Sequence, residues 1–199
     1  MRRMTILNEK KLVKLMKAAY KGGGVKVWHA PNDILYLAGP GWACAMLWEY
    51  VPGPVLGLIA AWCHSLPENG QGWWCLDAAG EAPEPLDGMP EPILTLQDSP
   101  VREGDLLALD LDCRGFRAVQ FDGRRVLWFE ACGVDALGRL TTFGGNLLDV
   151  RDAMPWGRWH DPETGTVVFL ETADRIRPDL TAKLGEIDYR KLRGGDTGC

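Results

Sequence analysis

The residues best able to do chemistry in this chain are two aspartates, Asp110 and Asp112, spaced two apart on a predicted strand. Residues i and i+2 of a strand share a face, so both carboxylates point the same way. Glu130, from the hairpin that follows, can approach them. Three carboxylates on a sheet suit a magnesium ion, and would make the protein a metal-dependent hydrolase. A D-x-D pair is also common at solvated strand ends, so it carries little weight alone.

The other reactive side chains fall into no motif. Cysteines stand at Cys44, Cys63, Cys75, Cys113, Cys132 and Cys199, with no C-x-x-C pair. They read as reduced, mostly buried thiols. A zinc site from Cys44, Cys63 and Cys75 with His29 or His64 would lack finger spacing. The histidines are His29, His64 and His160. His64 falls near a predicted helix end, where the dipole favours a proton and a capping role. No G-x-S-x-G, H-E-x-x-H, P-loop or dinucleotide fingerprint occurs, and Gly22-Gly23-Gly24 ends a predicted helix where a phosphate cradle would open one. No cofactor or metal is implied.

Binding chemistry is better represented. The chain holds nine tryptophans. Trp73 and Trp74 are adjacent, so on a strand they face opposite ways and one can reach the surface. Pro155-Trp156-Gly157-Arg158-Trp159-His160 reads as a loop presenting two indoles and a guanidinium, the residue types that dominate binding hot spots and that stack on bases. Alternatively, the indoles fold back over the core. Lys10, Lys14, Lys17 and Lys21 recur at helical spacing near the N-terminus and suit DNA phosphates.

These groups need elements to hold them. Asn8 is a good N-cap for a helix whose Leu12, Leu15, Met16 and Ala19 form one apolar stripe, with the glycine run as its stop. Val25–Ala30, Ile34–Ala38 and Trp42–Tyr50 read as a meander that the helix covers. Pro54 starts a second helix, which is apolar all round to Cys63 and therefore expected to be buried. Residues 77–92, dense in proline and acid, read as linker or exposed loop, and Ile93–Leu96 as a short strand. Leu106–Leu111, Phe116–Phe121, Arg124–Glu130 and Thr166–Glu171 are further strands. Asp122-Gly123 signals a two-residue hairpin turn, which sets Phe116 opposite Phe129 and Arg117 opposite Trp128 in a cation–π contact, with both hairpin faces covered. Asp179 can cap a terminal helix, and the tail from Arg193 reads as frayed.

The expected fold class is α+β: a helix packed on an antiparallel meander in an N-terminal lobe (1–98), then a β-rich lobe with a short C-terminal helix (99–199), either as two lobes or on one shared core. With 199 residues, 46% hydrophobic and 25% charged, the chain can bury a sizeable core. Its longest apolar run is too short to span a membrane and no signal-peptide core is visible, so a soluble, cytoplasmic protein is expected. Net charge is −5, but residues 1–26 carry +7 and residues 66–112 carry −10, so a basic end and an acidic flank can each steer a charged partner.

Three functions follow. The first is a non-enzymatic intracellular binding protein, an inhibitor or accessory factor acting on a protein or nucleoprotein through Trp156, Arg158, Trp159, Trp73 and Trp74. The second is DNA association through the lysine-bearing helix. There the helix–meander–helix order is similar to sliding-clamp modules in layout alone, with no shared motif. The third is the hydrolase built on Asp110, Asp112 and Glu130.

Overall fold

The computed structural model describes residues 6–77, 82–138, 145–151, 153–173 and 178–189, and at position 110 the backbone alone. In chain order the elements are α1 (Glu9–Gly22), β1 (Val25–His29), β2 (Ile34–Gly39), β3 (Trp42–Leu47), α2 (Gly53–Cys63), β4 (Gln71–Cys75), β5 (Glu84–Pro85), α3 (Ile93–Asp98), β6 (Val101–Arg102), β7 (Leu106–Cys113), β8 (Phe116–Phe121), β9 (Arg125–Glu130), α4 (Ala131–Ala136), β10 (Gly145–Leu148), β11 (Trp156–His160), β12 (Val167–Ala173) and α5 (Pro178–Gly185). The protein is α+β. No described helix is long and apolar enough to cross a membrane.

The N-terminal elements form as their residues dictate. The Asn8 side chain accepts from the Lys11 amide at 3.2 Å, and Leu12, Leu15, Met16 and Ala19 are the buried stripe of α1. β1, β2 and β3 make the expected meander, although residues 48–50 leave β3 as a short 3-10 turn. α2 differs from expectation. Only Val55, Ile59 and Cys63 are buried, while Gly53, Pro54, Gly57 and Ala61 lie on an open outer face. Small residues made the segment look apolar all round, yet they give that face nothing large to bury.

The sheet runs β5-β4-β1-β2-β3-β12-β11-β10-β6, antiparallel throughout. β12 pairs β3 along Val167–Leu170, so the sheet passes through the expected boundary at 98/99. At Thr172 and Ala173 the same strand turns to β9, which continues into β8 and β7. One sheet face carries the main core, including Val27, Leu37, Met46, Trp159 and Leu170, under α1 and α2. The other carries Tyr36, Ala43, Trp156 and Phe169 against Ile93 and Leu96 of α3.

Two further expectations are corrected. Ile93–Asp98 is a helix, because Ile93 and Leu96 fall one turn apart and bury together where a strand would have split them. The hairpin register is shifted by one residue. Phe121 pairs with Arg125, which leaves Arg124 as an extra residue after the Asp122-Gly123 turn. Arg117 therefore pairs with Phe129, on the opposite hairpin face from Trp128, and its guanidinium lies 3.0 Å from Asp135. Both hairpin faces are covered, one by the main core and the other by α5, where Trp128 Nε1 donates to Thr181 Oγ1 at 2.8 Å.

Candidate functional site

The predicted Trp/Arg loop is strand β11, held between β10 and β12. Alternation along it decides the fate of each side chain. Trp159 is 0% exposed and packs into the main core, edge-on to Phe129 with ring centroids 5.6 Å apart. Gly145 and Gly157 let the indole lie flat against the neighbouring backbone. A Cβ at either would stand 2.6 or 2.5 Å from the ring. Trp156 points to the opposite face and is 6% exposed in the second core. Neither indole presents a surface to a partner. Pro155 and Gly157 made the segment resemble a loop, but the close approach of the Trp159 ring is what requires glycine at 157. Trp73 and Trp74 are half-buried on β4, Trp73 against the main core and Trp74 in a small recess with Gly24, Pro40 and Pro92.

Arg158 has a different setting. It sits beside Trp156 on the face turned away from α1 and α2, half-buried, at the wall of a groove of about 400 Å³. The floor is Ile34 and Tyr36 of β2, Ala45 and Leu47 of β3, and Val167 and Phe169 of β12. Leu96, Gln97 and Ser99 of the α3 region close one side. Gln97 Nε2 donates to Tyr36 Oη at 3.1 Å and ties that side to the sheet. Among the described residues, no acid or hydrogen-bond acceptor engages the Arg158 guanidinium. Arg102, by contrast, is paired with Asp149 at 2.7 Å. The Arg158 nitrogens are not among the buried, partnerless polar atoms, so the guanidinium reaches solvent at the edge of an apolar floor and is free to pair with an anionic ligand. The sequence signal for this groove was present: Ile34, Tyr36, Val167 and Phe169 interleave with Leu35, Leu37, Val168 and Leu170, so the strands are apolar on both faces and need two covers.

The second predicted surface keeps its geometry. Lys10, Lys14, Lys17 and Lys21 are all exposed on α1, and none is paired with an acid among the described residues. Lys11, on the flank, is bound to Asp135 at 3.2 Å.

The candidate metal ligands are scattered. Asp112 on β7 and Glu130 on β9 are separated by β8, where they face Arg117 and Phe116. Asp112 accepts from the Gly115 amide at 3.3 Å, as a turn residue does. The side chain of Asp110 lies outside the described residues. Of the cysteine and histidine set, only Cys63 and Cys75 meet, with sulfurs 2.9 Å apart. Among the described residues no three His, Cys, Asp or Glu side chains gather in a metal-binding group. Cys44 is buried alone, and burial pushes its thiol up to about 12. His29 is buried against Trp48, with ring centroids 4.0 Å apart, and its Nδ1 lies 3.0 Å from the Pro67 carbonyl. His64 caps α2 in a left-handed conformation, and His64 and His160 are both exposed. Set against known families and curated proteins, the chain matches no family model and no curated sequence.

Proposed function

We infer that this is a non-enzymatic binding protein whose β2–β3–β12 groove receives an apolar segment of a protein partner carrying a carboxylate. The supporting observation is the unpaired, half-buried Arg158 at the wall of an apolar groove. Groove size fits a few partner side chains, since small-ligand and anchor sites occupy roughly 300–1,000 Å³. Apolar walls provide the burial, and the guanidinium fixes orientation through a forked, charge-assisted pair.

A library of displayed peptides, selected on the wild type and counter-selected on Arg158→Glu, tests this reading. Enrichment of apolar sequences with a carboxylate that bind the wild type and not the variant is expected. Enriched peptides without an acid, equal binding to Arg158→Glu, or no enrichment would each overturn it. The variant is first shown to be folded by its thermal midpoint.

The lysine face of α1 favours a second reading, non-specific association with DNA. Four exposed, unpaired cations on one helix face match the phosphate-contact mode. Fluorescence anisotropy with a labelled duplex, at low and physiological salt, separates the two readings. Salt-sensitive binding that vanishes when Lys10, Lys14, Lys17 and Lys21 become Glu supports DNA association, and no binding at low salt rejects it.

A further inference from the structure

The last residue of α2 and the last residue of β4 bring two thiols together in the interior. Cys63 and Cys75 are 5% and 2% exposed, and their sulfurs stand 2.9 Å apart. That is closer than two unbonded sulfurs normally rest, and closing by less than about 1 Å would reach a bond of ~2.05 Å. Both sit at ends of regular elements, so the approach is set by backbone geometry. The remaining described thiols are isolated: Cys44 is buried, Cys113 half-buried and Cys132 exposed.

We propose that Cys63 and Cys75 form an oxidisable dithiol, which a small hydroperoxide converts into a disulfide stapling the end of α2 to the end of β4. Cys63 is the more accessible of the two, 5% against 2% exposed, and is the attacking sulfur. Either thiol can donate the hydrogen bond between them. With Cys75 as the donor, that bond pulls the Cys63 pKa down against the opposing effect of burial, and pushes Cys75 up. In the first step the Cys63 thiolate attacks one peroxide oxygen. The O–O bond breaks, hydroxide leaves, and Cys63 becomes a sulfenic acid. In the second step the Cys75 sulfur attacks Cys63. The S–OH bond breaks, and the hydroxyl leaves as water with the Cys75 proton. With hydrogen peroxide as the oxidant, the departing hydroxide takes up the proton that Cys63 released, so two thiols and one peroxide give one disulfide and two waters. Burial restricts the reaction to oxidants of about that size, which shields the pair from bulkier disulfides.

The staple would act on the layer that carries α1. Trp62, next to Cys63, stacks on Tyr20 of α1 with ring centroids 4.3 Å apart and planes 4° from parallel. The Asp77 amide, just beyond β4, donates to the Tyr20 carbonyl at 2.9 Å. Ends of both helices and of the strand thus converge on the two sulfurs. A cross-link there restrains the unfolded chain and pins all three ends.

The full-length protein, reduced and folded, is exposed to hydrogen peroxide, quenched, and digested without reductant for mass mapping. A peptide linking Cys63 to Cys75, the loss of two titratable thiols, and an upward shift in thermal midpoint reversed by dithiothreitol are expected. Under the same treatment, Cys75→Ser should accumulate a sulfenic acid at Cys63 that dimedone traps. The wild-type map stands even if that variant folds poorly. Oxidation at Cys132 with no Cys63–Cys75 link, a link formed only in denaturant, or a link with no rise in midpoint would each overturn the proposal.

Discussion

Replacing Trp159 by Phe and by Ala separates two contributions that the structure places in one side chain. The indole is fully buried, so truncation to Ala should cost about 3–5 kcal/mol, as for other large aromatic deletions. Its Nε1, however, has no hydrogen-bond partner among the described residues, and an unpaired buried donor costs about 1–3 kcal/mol. Phe removes that donor while leaving a cavity smaller than Ala leaves. Relief and cavity oppose each other, so Trp159→Phe should cost less than ~2 kcal/mol. The neighbouring glycine sharpens the test. A Cβ at Gly157 would meet the far edge of the indole, Cη2 at 2.5 Å and Cζ3 at 2.6 Å. Phe lacks that outer ring, so Gly157→Ala should be strongly destabilising alone and much less so with Trp159→Phe, giving a coupling of roughly 1–3 kcal/mol in a double-mutant cycle. Urea unfolding followed by far-UV circular dichroism measures all four proteins. If Phe costs as much as Ala, or the cycle shows no coupling, the argument from the orphaned N–H and the glycine floor is wrong. Trp159→Phe should also leave peptide selection unchanged, because the indole reaches no surface.

Other expectations follow from the same geometry. If α1 contacts DNA, four phosphate neutralisations predict a log–log salt slope near −3.6, which is about two orders of magnitude of affinity between 50 and 200 mM salt. Asp161 is fully buried and accepts from the Glu163 amide, the Thr164 hydroxyl and the Ile6 amide, at 3.0, 2.8 and 3.4 Å. Asp161→Ala should therefore destabilise by about 2–4 kcal/mol, measured by the urea midpoint. Glu171 is pushed above the ordinary carboxylate range by burial and then by the charge of Glu130. A raised acid contributes stability below its unfolded pKa and loses it as pH rises through the folded one. Glu171→Gln should thus raise the thermal midpoint at neutral pH and lose that advantage in acid.

What the sequence revealed was local. Asn8, the α1 stripe and the glycine stop describe a helix that needs no distant partner for its limits, and those limits hold. The Asp122-Gly123 turn was visible, but the extra residue at Arg124 was not, and a slip of one residue changes every cross-strand neighbour. Segment 155–160 looks like a loop in the sequence, and the reason it is not is non-local: Trp156–His160 is a strand because β10 and β12 flank it, and its glycine serves a ring two residues away. The groove is legible only in part. The strands' two apolar faces show that a second cover is needed, but the groove exists only once β2, β3 and β12 lie side by side, and no spacing along the chain announces that Phe169 will sit opposite Ala43. Arg158 was singled out for its side-chain type, yet its importance comes from what does not surround it.

β12 has one more consequence, for the order in which the protein comes into being. It lies late in the chain yet fills a central place in the sheet, with β3 on one side, β11 on the other and β9 at its far end. A ribosome releases β1, β2 and β3 long before Val167 emerges. Until then the outer edge of β3 carries unpaired amides and carbonyls beside the apolar Ala43 and Met46, a template for pairing with other chains. Contacts of such long sequence separation also close slowly, because loop entropy is lost before any pairing is gained. The vulnerable species is therefore a nascent meander awaiting its last strand. Chains interrupted before residue 173 should enter aggregates, while full-length chains, once β12 docks, withdraw that edge from reach.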